Sequence, residues 1–95
     1  MIYTIEQIKD KCRIVFDKQN FIKEAYLFGS YARGEATEKS DIDFMIVLNR
    51  TVGLEFFGLY HFLQEGFGKN VDVISEKEAY GIMPKSIERD KVRVY

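Results

Sequence analysis

The sequence predicts a small α/β (α+β) domain: one mixed β-sheet with helices packed on it. Three observations predict it. Apolar residues recur at helical spacing over 5–19, they alternate strictly with other residues over 41–48, and the strand-like runs are joined by links of unequal length. Ninety-five residues make one domain, 1–95, near the lower end of what sustains a single core. With 46% hydrophobic residues, eight phenylalanines and six tyrosines, a small core is feasible.

Thr4 is placed as an N-cap, with Gln7 completing a capping box and Tyr3 and Ile8 set for a hydrophobic staple. Ile5, Ile8, Cys12 and Val15 then mark the apolar stripe of a helix over 5–19, with Glu6, Lys9, Asp10 and Arg13 on its polar side. A short strand over 24–28 stops at Gly29, a short helix follows at 30–33, and 34–40 is polar loop. Over 41–48, Ile42, Phe44, Ile46 and Leu48 alternate with Asp41, Asp43, Met45 and Val47, which puts both carboxylates on one strand face. Leu54, Phe57, Tyr60 and Leu63 carry a helix over 53–65, ended by Gly66 and Gly68. A third strand spans 71–74 with Asp72 inside it, Ser75 and Glu78 form a second capping box, Pro84 opens another short helix, and Val92 and Val94 flank Arg93 in a last strand.

The link between the first two strands is too short for a comfortable crossover, so they are expected antiparallel. The link to the third holds a full helix and allows a right-handed parallel crossover.

Composition excludes several kinds of function. A single cysteine rules out an internal disulfide framework, and Cys12 with the lone His61 offers no zinc set. Cys12 belongs to the core stripe, and no motif surrounds His61. Carboxylates must carry any chemistry. A net charge of −1 with mixed signs leaves no broad footprint for duplex nucleic acid. No apolar run approaches the ~20 residues of a membrane span, and residues 1–10 are too polar and acidic for a signal peptide. A cytoplasmic chain with no membrane partner is expected.

Asp41 and Asp43 stand two apart on one face, roughly 6–7 Å along the strand. Such a pair is tolerated on an exposed strand end, and it equally suits a cation. Asp72 interrupts a strand otherwise fit for burial; it either faces solvent at the strand end or joins the pair if the strands are neighbours. Three converging carboxylates call for hard cations, Mg²⁺ or Mn²⁺. Gly29-Ser30 reads as a strand-ending turn, or as one whose glycine, free N–H groups and hydroxyl receive a phosphate. Arg33 suits either a phosphate contact or a tie to Glu35 or another carboxylate. Ser40 suits a cap on the second strand or a bond to a site carboxylate, and Tyr31 suits packing.

Gly29-Ser30-Tyr31-Ala32-Arg33-Gly34 followed by Ser40-Asp41-Ile42-Asp43, with Val71-Asp72-Val73 later, closely resembles the signature of the minimal nucleotidyltransferases of the DNA polymerase beta-like superfamily. The resemblance runs from the first helix to Tyr95. It implies a two-metal nucleotidyl transfer in which Asp41, Asp43 and Asp72 hold two Mg²⁺ ions and Gly29, Ser30 and Arg33 bind a nucleoside triphosphate, ATP above all. Larger members carry acceptor-binding domains for which this chain has no residues. Minimal members are often the antitoxin to a HEPN ribonuclease toxin, which some of them inactivate by transferring AMP to a tyrosine, and this implies a hetero-oligomer. Two other readings stay open: an idle binding antitoxin or scaffold using Phe56, Phe57, Tyr60 and Phe62, whose core packing is the cheaper explanation for most of them, or an enzyme acting on a small hydroxylated molecule.

Overall fold

The computed structural model describes residues 2–95. Its first helix, α1 (Ile5–Phe16), starts as the local chemistry dictates. Thr4 Oγ1 accepts from the Gln7 amide at 3.1 Å, and the Thr4 amide donates to Gln7 Oε1 at 2.9 Å, so two N–H groups that the helix leaves unpaired are satisfied. Ile8, Cys12 and Phe16 are its buried residues. The helix ends three residues earlier than the apolar spacing suggested, and turns carry the chain into β1 (Ile22–Phe28).

α2 (Gly29–Arg33), β2 (Ile42–Leu48), α3 (Glu55–Phe67), β3 (Val71–Ser75), α4 (Glu76–Ile82), α5 (Pro84–Asp90) and β4 (Val92–Arg93) follow. The strands form one sheet in the order β3-β2-β1-β4. β1 and β2 are antiparallel, β2 and β3 parallel with α3 as the crossover, and β4 closes antiparallel on β1. The mixed sheet and its two connection types are those the link lengths required.

Alternation along the strands sorts their side chains between two cores. Ile42, Phe44 and Ile46 of β2, with Ala25 and Leu27 of β1 and Val71 of β3, meet α1 and α3. Phe44 is fully buried there, its ring 6.3 Å from Phe16 edge-on and 5.8 Å from Phe67. On the other face Met45 packs with Ala79 of α4 and Ile87 of α5, and Tyr26, Phe28, Ile74, Tyr80 and Met83 border them. This second core is much smaller, and Asp43 shares its face by the period of two.

The structure corrects the sequence expectation at α3 and at α4. In α3 the buried stripe is Leu59, Leu63 and Phe67, whereas Leu54 and Phe57, which had marked the helix, are 84% and 73% exposed. The helix runs through Gly66 and ends at Gly68, whose φ of 65° is a left-handed conformation that costs a glycine little. At α4 only half of a capping box forms: Ser75 Oγ accepts from the Glu78 amide at 3.3 Å, but the Glu78 carboxylate takes the Ser75 hydroxyl at 3.2 Å. Of the four aromatics considered for an interface, core packing accounts for Phe56 alone, since Phe57, Tyr60 and Phe62 are exposed.

No helix among the described residues is long and apolar enough to cross a membrane. Because Phe44 joins α1, α3 and the sheet, Phe44→Ala should cost about 3–5 kcal/mol, a large share of the roughly 5–15 kcal/mol that holds a small domain folded. Urea unfolding followed by circular dichroism would measure it; a loss under about 1 kcal/mol would contradict this account of the core.

Candidate active site

Strand register delivers the carboxylates. In the parallel β2–β3 ladder Asp43 stands directly opposite Asp72, and in the antiparallel β1–β2 ladder Phe28 stands opposite Asp43. Gly29 therefore follows immediately beside Asp43. The turn, Asp43 and Asp72 gather where β1 ends and β2 and β3 begin.

Gly29 is held to its identity by that closeness. Its φ is +71°, and a Cβ built there would overlap Asp43 Oδ2 and stand 3.1 Å from Asp43 Cγ. Any side chain would meet both a disfavoured backbone conformation and the carboxylate itself. No side chain caps the start of α2, so the first N–H groups of this short helix keep their donor capacity toward the same corner.

Asp43 is half-buried, and the Asp43 and Asp72 carboxyls lie within hydrogen-bonding reach of each other. Burial first, then the bond to Asp72 and the charges of Asp72 and Asp41, push Asp43 from 3.8 up to about 7, while Arg33 opposes the shift. Such crowding at Asp43 is relieved by a proton on that carboxyl or by a cation beside it. The donor set consists of hard oxygens, which suits Mg²⁺ or Mn²⁺.

Asp41 is exposed and lies one residue ahead of β2, not within it. Its charge reaches Asp43. Among the described residues no three carboxylate, histidine or cysteine side chains already converge as a finished cage. The structure thus brings Asp43 and Asp72 together and leaves Asp41 at their mouth. Side-chain rotation of an exposed aspartate is a small step.

The other sequence candidates are placed as follows. Arg33 Nε donates to Glu35 at 3.3 Å and its Nη1 to Asp90 of α5 at 3.2 Å, so its recorded partners are carboxylates. Ser40 Oγ accepts from the Thr37 amide at 2.8 Å and shapes the loop before β2. Tyr31 is buried, and its hydroxyl accepts from Lys69 Nζ at 3.0 Å. Burial pushes the Cys12 thiol up to about 12, as befits a core residue. His61 is exposed beside Glu65.

Sequence reasoning missed Lys69 and Asp90. Lys69 precedes β3 and clamps α2 through Tyr31, while Asp90 clamps it through Arg33 from α5. Neither stands in a motif, and 38 and 57 residues separate the partners. Elsewhere, a cavity of about 500 Å³ lined by Leu48, Asn49, Arg50 and Lys77 opens at the opposite ends of β2 and β3, away from the carboxylates. An apolar groove of about 430 Å³ runs between α1 and α3.

A four-stranded mixed sheet with a glycine turn against paired carboxylates is the frame of a group-transfer enzyme for phosphate esters. The family it belongs to is specific: residues 5–94 match the nucleotidyltransferase domain, and the chain is a member of that family. A Methanocaldococcus jannaschii protein, provisionally named as a protein adenylyltransferase, is 39% identical over 99 residues, covering 96% of this chain and 98% of its own. Protein adenylyltransferase MntA of Thermococcus cleftensis is 32% identical over 74 residues, 77% of this chain and 75% of that protein. A chain in the structure of tri-AMPylated Shewanella oneidensis HEPN toxin in complex with MNT antitoxin has the same fold, with a TM-score of 0.73 and 18% identity over 97% of this chain and 72% of that one.

The raised Asp43 value sets a pH dependence. Its protonated form fits the folded state better than its charged form does. That contribution is therefore intact below the ordinary carboxylate range and is lost as pH rises toward about 7. In buffer without divalent ions, Asp43→Asn should match the unsubstituted chain in Tm near pH 4 and exceed it at pH 8. A Tm difference that stays constant with pH would refute the crowded-pair account.

Proposed function

We propose that the chain is a Mg²⁺-dependent protein adenylyltransferase, an antitoxin that moves AMP from ATP onto a tyrosine hydroxyl of a HEPN ribonuclease partner. The observation that carries it is the meeting of Gly29 with the Asp43–Asp72 pair at one corner of a nucleotidyltransferase domain. The names of its relatives support the protein as acceptor class, and the AMPylated toxin bound to the structural neighbour supports the partner.

Asp43 and Asp72, with Asp41 turned inward, would hold Mg²⁺, which supplies charge neutralisation at the phosphates and acidifies an acceptor hydroxyl. Gly29 lets the backbone approach the triphosphate without a Cβ in the way. The amides that open α2 and the Ser30 hydroxyl donate to phosphate oxygens. In the transfer the acceptor hydroxyl gives up its proton to solvent, a bond forms between its oxygen and the α-phosphorus, the bond from that phosphorus to the α–β bridging oxygen breaks, and pyrophosphate leaves. This chain's part is to fix the two reactants in line and to balance their charge.

A second reading has its own observation. The outer face of α3 exposes Leu54, Phe57 and Phe62, and Ile14 of α1 is 63% exposed. Apolar exposure of this kind suits a chain that neutralises a partner by contact alone. Incubation with the HEPN-type partner, Mg²⁺ and ATP labelled at the α-phosphate separates the two. The enzyme reading expects label on a partner tyrosine and its loss in Asp41→Asn/Asp43→Asn, by a factor of at least about 100. Protection by that double variant equal to protection by the unsubstituted chain, with no label in either, would leave only the contact reading.

Gly29→Ala tests the turn independently. It should lower transfer by about 10-fold or more while a partner pull-down stays intact, and full activity in that variant would remove Gly29 from the site.

A further inference from the structure

Asp90 is an odd residue to find where it is. It is the last residue of α5, where the end of a helix carries partial negative charge and disfavours a carboxylate. Its side chain is nevertheless only 7% exposed. Arg89 Nε and Nη2 donate to it at 2.9 and 3.2 Å, and Arg33 Nη1 donates at 3.2 Å from the far side. The arginines, Arg89 before Arg33, hold its carboxyl below the usual range, so it stays charged.

Arg33 closes α2, the short helix that Gly29 and Ser30 open. Its Nε is committed to Glu35 and one Nη1 hydrogen to Asp90. Nη2 makes no hydrogen bond among the described residues, and a second Nη1 hydrogen remains. Its charge is felt at Asp43, so the guanidinium lies within electrostatic reach of the carboxylate pair. A planar guanidinium held at Nε by one carboxylate and at Nη1 by another is fixed from two sides, which leaves Nη2 in a fixed direction. An unpinned arginine on a five-residue helix would wander over many rotamers, and a ligand would have to order it on binding.

We infer that Asp90 is a positioning residue for the nucleotide: by pinning Arg33 at Nη1 it holds the unpaired Nη2 ready for an oxygen of the triphosphate at the Gly29–Ser30 turn. The inference rests on the nucleotide reading of that turn and adds α5 to the machinery. Arg33 then has both of the roles its sequence context left open, tied to carboxylates through Nε and Nη1 and offered to phosphate through Nη2. Glu35 is the weaker pin, since its side chain is 64% exposed and stands in a loop.

The test is a binding titration of a non-hydrolysable ATP analogue with Mg²⁺, by calorimetry, beside Tm measured without nucleotide. Asp90→Asn should weaken binding about 10-fold, and Asp90→Glu, which restores the charge, should stay within about 3-fold of the unsubstituted chain. In an Arg33→Ala background the Asp90→Asn exchange should change binding by less than about 2-fold, because nothing is left to pin. A merely structural Asp90 would lower Tm and weaken binding equally in both backgrounds, which overturns the inference, as does unchanged affinity in Asp90→Asn. Should that variant not fold, Arg33→Lys asks the same question: an ammonium keeps the charge but cannot span two carboxylates and a phosphate, and unaltered affinity there also overturns it. An unsubstituted chain that binds no nucleotide would remove the reading of the turn itself, whereas normal binding insensitive to residue 90 removes only the role of Asp90.

Discussion

Everything at the candidate site follows from one register: Asp43 of β2 opposite Asp72 of β3 in a parallel pair. A shift of a single residue in that ladder would send Asp72 to the α1–α3 face and a valine to the site, because side chains alternate with a period of two. The register is defended by burial. Val71 and Ile42 are register partners buried in the larger core, as are Phe44 and Ile46 further along β2. The apolar residues thus fix where the charged ones stand. The cost of crowding two carboxyls is borne by a sheet whose opposite face is well packed.

The glycine turn depends on the same constraint from the other side. β1 must end at Phe28, opposite Asp43, for Gly29 to lie against the carboxylate. α2 is then too short to hold itself in place by helical hydrogen bonds alone. It is fastened by Tyr31 in the core and by two long-range contacts, Lys69 to Tyr31 and Arg33 to Asp90. These contacts reach to the segment before β3 and to α5, so the Gly29–Ser30 turn is tied to the strand that carries Asp72 and to the helix that covers the sheet. Rigid placement of a weakly structured turn is what a transfer reaction governed by alignment requires.

Much of this was legible in the sequence, and the parts that were not share a physical cause. Local signals read correctly: Thr4 and Gln7 cap α1, alternation placed β2, and link lengths gave the strand directions. The phase of α3 did not, because its apolar residues circle the helix. Leu54 and Phe57 look no different in sequence from Leu59 and Leu63, and only the tertiary position of the sheet decides which are covered. Asp41 was expected inside β2, yet pairing with β3 begins at Ile42, and Asp41 is left outside. The Glu35 partner of Arg33 was within local reach, but Asp90 of Arg33 and Lys69 of Tyr31 lie dozens of residues away and are set by how α5 and the loop before β3 fold back, which no local pattern encodes.

Those long-range partners also bear on how so few residues support a site. The α4–α5 face has a core of only Met45, Ala79 and Ile87 with partly exposed neighbours, too little apolar area to position α5 firmly by itself. The Arg33–Asp90 pair, with Pro84 opening α5 and the Lys91 ammonium donating to the Tyr80 hydroxyl at 2.9 Å, supplies directional contacts where non-directional packing is thin. The arginine of that pair stays 39% exposed, which keeps its contribution to stability small, so the arrangement is better understood as orientation than as strength. On this view the polar ties around α5 and the crowded Asp43–Asp72 pair serve one end: both hold charged groups in positions that a small hydrophobic core could not specify, on either side of the turn that Gly29 opens.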